Sequence, residues 1–158
     1  MTTKSPPDIT VFDIADWFLA RAKSENDPLK HMKLQKLVYF AYGWYFIYSE
    51  EPLFPQKICA WQHGPVVEEL YQKYKSFKKH PIDVEDIPCP QFDSDVLDVL
   101  DDIWRIYSPC TDTHLRNITH RQDAPWTKVY NSRDRSIEIP ASDIRDYFKM
   151  LQRKYVEN

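Results

Sequence analysis

The most apolar part of the chain lies between Met32 and Tyr48, MKLQKLVYFAYGWYFIY, and carries no charge from Leu37 onward. Its aromatic and β-branched residues are typical of strands. Its apolar positions, however, also recur three or four residues apart, and strands usually extend over only about four to eight residues. A helix that is apolar on nearly every side is a buried one. The pattern therefore predicts a buried central helix over about residues 32–49.

Gly43 lies in the middle of this predicted helix, where it costs roughly 1 kcal/mol of helix propensity. Such a residue indicates a close approach, and we expect another backbone to cross the helix there. The apolar run is shorter than the roughly 20 residues that a membrane span requires. The segment therefore predicts a helix inside the protein, and we expect no association with a membrane.

Helical spacing of apolar positions predicts further helices on both sides of the central one. The first begins after Thr10, whose Thr-Val-Phe-Asp sequence has the capping pattern, and extends to about Lys23. A second is expected from Val66, with Pro65 suited to its first position. The predicted segments after the central helix are 66–77, 94–107, 111–119, a brief turn from about 125 to 130, and a final helix capped by Ser142.

Two short segments, residues 57–61 and 137–139, have the character of strands. A lone strand leaves backbone groups unpaired, so we expect these two to form one small two-stranded β ribbon, with His63-Gly64-Pro65 as a turn. The predicted fold class is mainly α (α+β): a compact helical domain around the buried central helix. Residues 1–8 are predicted to be a flexible arm and residues 9–158 a single domain.

Composition removes several classes of function. The net charge is −3, which gives no electrostatic footprint for a nucleic-acid backbone, and two glycines in the whole chain exclude glycine-rich phosphate loops. The three cysteines are widely spaced, which argues against a disulfide framework and favours a reducing compartment. The first residues are polar and lack the apolar stretch of a signal peptide. We therefore expect a cytoplasmic protein.

The candidate chemistry is sparse. Cys59 and His63 are four residues apart, and His114 and His120 are six apart, but a zinc site normally needs three or four ligands. We therefore expect no metal and no other cofactor. A cysteine nucleophile paired with a histidine is conceivable because the two need only meet in space, yet no local signature supports it. Runs of aspartate in 95–102 and of lysine in 73–79 are interpreted as solvated helix surfaces.

Polar and amphipathic side chains near the ends of the predicted elements are more informative. Two interpretations stay open for them: caps and hydrogen bonds of the core, which the residues alone favour, or a binding face, because Tyr and Trp dominate interface anchors. The set comprises Lys33, Gln35, Lys36, Tyr39, Trp61, His63, His120 and Trp126.

At these residues the chain resembles a known family. The run Met32 to Trp44 resembles the opening signature of the Panacea, or SocA-like antitoxin, domain, which is related to the phage-associated GepA proteins. Further matches follow in order over about residues 10–150: Pro52-Leu53-Phe54, Ala60 to Val67, Leu115, Thr119-His120, Pro125-Trp126 and Ile139 to Phe148.

The resemblance implies a mostly helical domain that acts as the antitoxin of a toxin–antitoxin pair and neutralises its cognate protein toxin by direct binding. Some members of the family resemble adaptors, and this alternative adds a protease as a second partner. The family implies no catalytic residues, so we expect the protein not to be an enzyme. The remaining alternative is an unrecognised enzyme that uses His63, His120 or Cys59.

The predicted partner-binding face surrounds the turn at His63 and the segment from Thr119 to Trp126. Its residues are Lys33, Lys36, Tyr39, Trp61, His63, Gly64, Pro65, Val66, His120 and Trp126. We expect this face to contact protein and not nucleic acid.

Overall fold

The structure, a computed structural model, describes residues 3–134 and 136–157. Within these ranges it contains α1 (Val11–Ser24), α2 (His31–Tyr45), β1 (Ile58–Trp61), β2 (Gly64–Val67), α3 (Glu68–Tyr74), a 3-10 turn (Lys75–Phe77), α4 (Ser94–Tyr107), α5 (Asp112–Thr119), α6 (Pro125–Val129), β3 (Ile137–Glu138) and α7 (Ala141–Glu157). The fold is mainly helical with one small antiparallel sheet, which confirms the predicted α+β class.

Helix α2 is the centre of the molecule. Every residue from Leu34 to Gly43 is buried, and the helix packs against α1, α3, α4, α5, α7 and β2. The predicted central helix is confirmed, although its regular part ends at Tyr45. Phe46, Ile47 and Tyr48 continue it as a tighter turn, in which each N–H donates to the carbonyl three residues earlier, a common way to satisfy the last carbonyls of a helix.

Gly43 marks a close approach, but the neighbour differs from the one expected. A Cβ at this position would lie 2.2 Å from Cε2 of Phe148, so the ring of an α7 side chain, and not a crossing backbone, occupies the space. The same ring packs edge to face on Trp44, with centroids 5.0 Å apart. The absent side chain of Gly43 therefore lets α7 lie directly against the central helix.

The sheet has the strand order β2-β1-β3, and all its pairs are antiparallel. The predicted pairing of the two distant segments is confirmed, because Ala60 pairs with Ile137. The third strand, β2, was not expected: residues 64–67 were predicted to be a turn and a helix start with Pro65 at its first position, and this prediction was wrong. The strand forms because Gln62 and His63 close a two-residue hairpin loop, and because β2 is an edge strand, where proline is tolerated.

Gln35 fixes this edge strand to the central helix. Its Oε1 accepts a hydrogen bond from the N–H of Val67 at 2.9 Å, and its Nε2 donates to the carbonyl of Val67 at 3.2 Å. Nε2 also lies 3.1 Å from Nε2 of the buried His31. A buried amide without such partners costs roughly 1–3 kcal/mol, so this contact sets the position of β2 on α2.

The ends of the helices agree with the sequence in most places. The predicted capping box of α1 is present, since Thr10 Oγ1 accepts from the N–H of Asp13 at 3.3 Å and the Asp13 carboxylate accepts from the N–H of Thr10 at 2.9 Å. Helix α4 has the predicted bounds. The prediction that Ser142 caps the last helix was wrong, because α7 already begins at Ala141.

The segment before α1 contacts the body of the protein. The N–H of Lys4 donates to the carbonyl of Gln91 at 2.7 Å, and its ammonium pairs with Asp13 at 3.0 Å. The flexibility of residues 1–8 and the single domain over 9–158 remain predictions. None of the helices in the described ranges is long and apolar enough to cross a membrane.

Substitution of Gly43 by alanine tests the close approach of α7. Alanine favours the helix by roughly 1 kcal/mol, but the new methyl group meets the Phe148 ring. Because overpacking of a core costs about 1–3 kcal/mol, we expect a net loss of about 1–2 kcal/mol in the free energy of unfolding, measured by urea denaturation. With Phe148→Ala as the background, the same substitution is expected to be neutral or stabilising. Equal effects in the two backgrounds would show that the ring is not the obstacle.

Candidate partner-binding surface

The hairpin of β1 and β2 lies directly on α2 and α5 because of Gly64. A Cβ at this residue would lie 2.8 Å from Nζ of Lys36 and 3.0 Å from Oγ1 of Thr119. Gly64 also has a φ angle of +127°, a conformation that glycine adopts and other residues rarely do. Both the backbone angle and the space therefore require glycine at the end of the hairpin loop.

Three stacked rings support the other side of the hairpin. The ring of Trp126, on α6, stacks with His120, with centroids 3.7 Å apart, and with Tyr130, with centroids 4.5 Å apart. The indole Nε1 of Trp126 donates to the carbonyl of Trp61 at 2.6 Å. Trp126 is only 8% exposed, so its role in the free protein is to hold the end of β1 in place.

Trp61, in contrast, is partly accessible at the surface. Its Nε1 donates to the carboxylate of Glu68 at 3.3 Å, and its ring packs at 66° against Tyr71, with centroids 4.8 Å apart. Tyr71 in turn stacks on His31. The accessible indole is therefore held in one orientation by groups from α3 and α2.

Two adjoining cavities open beside the hairpin. The first, which we call the aromatic cavity, measures about 730 Å³ and is lined by Met32, Trp61, Gln62, His63, Val66, Tyr71, Tyr130, Asn131, Ser132 and Ser136. The second, the basic cavity, measures about 230 Å³ and is lined by Met32, Lys33, Lys36, His63, Asp112, Thr113 and Arg116. Met32 and His63 line both cavities, and we call the two cavities together the candidate surface.

Lys36 is the most unusual side chain of the candidate surface. It is 3% exposed, and its Nζ has no hydrogen-bond partner among the described residues. Burial and the charge of Arg116 lower its pKa to about 8, while Asp112 acts in the opposite direction. Lys33, one turn earlier, is different, because its Nζ donates to the carbonyls of Ser108 at 2.6 Å and Cys110 at 2.9 Å. Of these two lysines, Lys36 is the one that carries a buried charge without a partner among the described residues.

His120 shares this environment. Its Nε2 is buried and has no hydrogen-bond partner among the described residues. Burial lowers its pKa, and the positive charges of Arg116 and Lys36 lower it further. The uncharged form of the imidazole is therefore favoured, which suits a ring stacked flat on an indole.

The structure brings most of the predicted face together around the hairpin: Lys36, Trp61, His63, Gly64, Pro65, Val66, His120 and Trp126. Lys33 lies beside them in the basic cavity. Tyr39 does not, since it is 2% exposed and lines a separate cavity with residues of α4, α5 and α7. Among the others, Trp61, His63 and His120 are exposed or partly so, and Gly64, Pro65 and Val66 are buried. Their role in binding remains a prediction.

Sequence reasoning missed Met32, Tyr71, Arg116 and Tyr130, which also line the two cavities. One signal was available, because Met32 and Lys36 are four residues apart and hence neighbours on one helix face. Tyr71 and Tyr130 were assigned to helices, and their positions in the sequence do not show that their side chains line a cavity.

The thiol of Cys59, one of the groups proposed for catalysis, is shifted away from its reactive form. Burial, followed by the charge of Glu68, raises the pKa of the Cys59 thiol to about 11, which leaves little of the nucleophilic thiolate at neutral pH. In residues 3–134 and 136–157, no three His, Cys, Asp or Glu side chains are grouped so that they could hold a metal ion.

These features define a class of protein: a mainly helical domain with a β hairpin held against its central helix. Residues 34–127 match the family described as antitoxin SocA-like, Panacea domain, and because this match covers more than half of the chain, the chain belongs to that family. The resemblance seen in the sequence is thereby confirmed.

The chain is also similar to a curated relative, Antitoxin SocA of Caulobacter vibrioides (strain NA1000 / CB15N). The two are 25% identical over 140 residues, which cover 82% of this chain and 74% of the relative. No solved structure was found to match the chain.

The unpaired charge of Lys36 is expected to lower the free energy of unfolding of the protein. Its pKa in the folded protein, about 8, lies below the ordinary 10.5, so the unfolded chain binds the proton more tightly and the folded state is penalised below about pH 8. Replacement by methionine is therefore expected to raise the free energy of unfolding at pH 7 by about 1–3 kcal/mol. The gain should shrink as the pH rises from about 8 towards 10.5, because wild-type Lys36 then becomes neutral.

Urea denaturation at pH 7 and pH 10 measures both effects. Lys33→Met is the matched control, and we expect it to destabilise the protein because the carbonyls of Ser108 and Cys110 lose their donor. A clear loss of stability for Lys36→Met at pH 7 would contradict the prediction.

Proposed function

We propose that the protein is the antitoxin of a toxin–antitoxin pair and neutralises a cognate protein toxin by binding it directly, without catalysis. Membership of the SocA-like Panacea family supports the role, as does the similarity to a protein named Antitoxin SocA. One observation gives the main support for direct binding: four apolar or aromatic side chains are accessible around one open cavity, namely Met32, Trp61, Tyr71 and Tyr130.

These residues have the chemistry of interface anchors. Aromatic residues and Met are enriched in the cores of protein interfaces, and a few such anchors supply most of the binding free energy. Met32 is 38% exposed although it belongs to the largely buried central helix. A toxin side chain placed in the aromatic cavity would remove Met32 and Trp61 from water.

The surface is also preformed, which lowers the cost of binding. Trp61 is held by the carboxylate of Glu68 and the ring of Tyr71, and the end of its strand is held by Trp126. Side chains that are already ordered lose less conformational entropy on association. A rigid surface of this kind suits a protein that covers the working part of another protein.

The central test is a change of Met32 to glutamate. A carboxylate in the aromatic cavity should exclude an apolar toxin side chain, and we expect the affinity for the toxin to fall about tenfold or more. The partner to assay is the product of the neighbouring gene, co-purified with this protein and measured by calorimetry. The control is Ile47→Glu, since Ile47 is 37% exposed, almost the same as Met32, and lies beyond the other end of α2.

Both variants should retain the melting temperature of the wild type to within a few degrees. Equal affinities for the two variants would place the interface elsewhere. A toxin that remains fully active when the two proteins are co-expressed would exclude the antitoxin role. Toxin turnover that depends on this protein and a protease would support the adaptor alternative instead of masking.

A further inference from the structure

The basic cavity, which lies where the first turns of α2 and α5 meet the hairpin loop, has a marked imbalance of charge. Three of its lining residues, Lys33, Lys36 and Arg116, are basic, and Asp112 is the one acid among them. Arg116 is exposed and forms no ion pair with any described residue. The cavity therefore has an excess of positive charge that the free chain does not neutralise.

The amine of Lys36 is the strongest indication that the cavity accepts a ligand. It is buried and has no hydrogen-bond partner among the described residues. The hydroxyl of Thr119 lies close by under Gly64 and donates to the carbonyl of Arg116 at 2.7 Å, but it is not a hydrogen-bond partner of the amine. A buried charge without a partner is strongly destabilising, and an incoming anion would remove that penalty.

We propose that the basic cavity binds a carboxylate of the toxin, either an Asp or Glu side chain or the terminal carboxylate, with Lys36 and Arg116 as its counter-charges. This assignment rests on the proposed function, because it names the chemistry by which the same surface recognises its partner. The volume of about 230 Å³ fits one such group and not a longer chain segment.

The surroundings favour a protein carboxylate over a nucleic-acid phosphate. Met32 and His63 line both cavities, so the basic cavity is continuous with an apolar and aromatic surface. A nucleic-acid backbone is held by an extended basic patch, and this chain has a net charge of −3. An acidic side chain flanked by apolar ones matches both cavities at once, and the apolar contacts exclude water and strengthen the ion pair.

We infer that an anion reaches Lys36 by displacing side chains at the rim of the basic cavity. Met32 is 38% exposed and His63 is exposed, and a methionine side chain is flexible enough to turn aside. Burial, with the charge of Arg116, lowers the pKa of Lys36 to about 8 in the free chain. The amine is therefore still mostly protonated at pH 7 and available as a counter-charge.

The first arm of the test uses the full chain alone, with ¹³C-labelled methionine methyl groups observed by NMR. We expect sodium acetate to shift the Met32 methyl signal, while Met150, which lines neither cavity, serves as the internal reference. Sodium chloride at equal ionic strength and acetamide are expected to have no such effect. The acetate shift should be lost in Lys36→Leu, which adds no methionine signal.

The second arm measures affinity for the toxin. Removing one partner of a buried charge pair should weaken binding roughly 30-fold or more in Lys36→Leu. Arg116→Gln, at an exposed position where the fold is not at risk, should weaken it several-fold. The control is Lys79→Gln, which changes the net charge by the same amount at an exposed residue that lines neither cavity and should retain wild-type affinity.

The outcomes separate this assignment from the proposed function. A toxin complex that is equally tight in Lys36→Leu, Arg116→Gln and Lys79→Gln overturns the carboxylate site and leaves the antitoxin role intact. The absence of any complex overturns both. Inorganic phosphate that shifts Met32 at lower concentrations than acetate, with toxin affinity unchanged in the variants, would assign the cavity to a free anion and overturn the proposal. Acetate binding together with selective loss of affinity supports it.

Discussion

The burial of α2 on every side is the constraint on which the rest of the structure depends. No described residue from Leu34 to Gly43 reaches the surface, so other elements have to cover the whole circumference of the helix, and six helices and strands contact it. This burial includes two polar residues, Gln35 and Lys36. The amide of Gln35 finds the backbone of β2, whereas the amine of Lys36 finds no partner in the described residues. The packing of the fold therefore accounts for the buried amide of Gln35, but it does not account for the buried amine of Lys36.

The same constraint builds the candidate surface. Gln35 holds β2 on the central helix, Gly64 lets the hairpin loop lie against Lys36, and Trp126 holds the end of β1. Each of these contacts is internal, and together they leave Met32 and Trp61 accessible beside a preformed cavity. The buried residues around the hairpin therefore act as supports, and the accessible ones are available for contact. A surface built in this way can tolerate changes at its rim more easily than changes beneath it.

The sequence predicted the central helix and the pairing of β1 with β3, because both follow from strong apolar patterns and from the need to pair backbone groups. It did not predict β2, because Pro65 suits a helix start as well as an edge strand, and the pairing with β1 and the contact with Gln35 decide between them. It grouped Tyr39 with the residues at the hairpin for a related reason, although Tyr39 lines a separate cavity. On a helix that is apolar all round, the sequence does not show which side stays partly accessible. That accessibility depends on how the other elements pack against the helix.

The unpaired amine of Lys36 also has a consequence for selectivity. An apolar side chain of similar length would fill the same space without the cost of a buried charge, so the lysine weakens the free protein. A partner that places a carboxylate in the basic cavity removes this cost, while a partner that covers the cavity with an apolar group seals the charge from water and increases it. The affinity of the aromatic cavity alone distinguishes poorly between apolar partners, because burial of apolar surface is not directional. In the proposed complex, the lysine beside it adds a contribution whose sign depends on the partner, and such a contribution would favour a partner with a carboxylate over a purely apolar one.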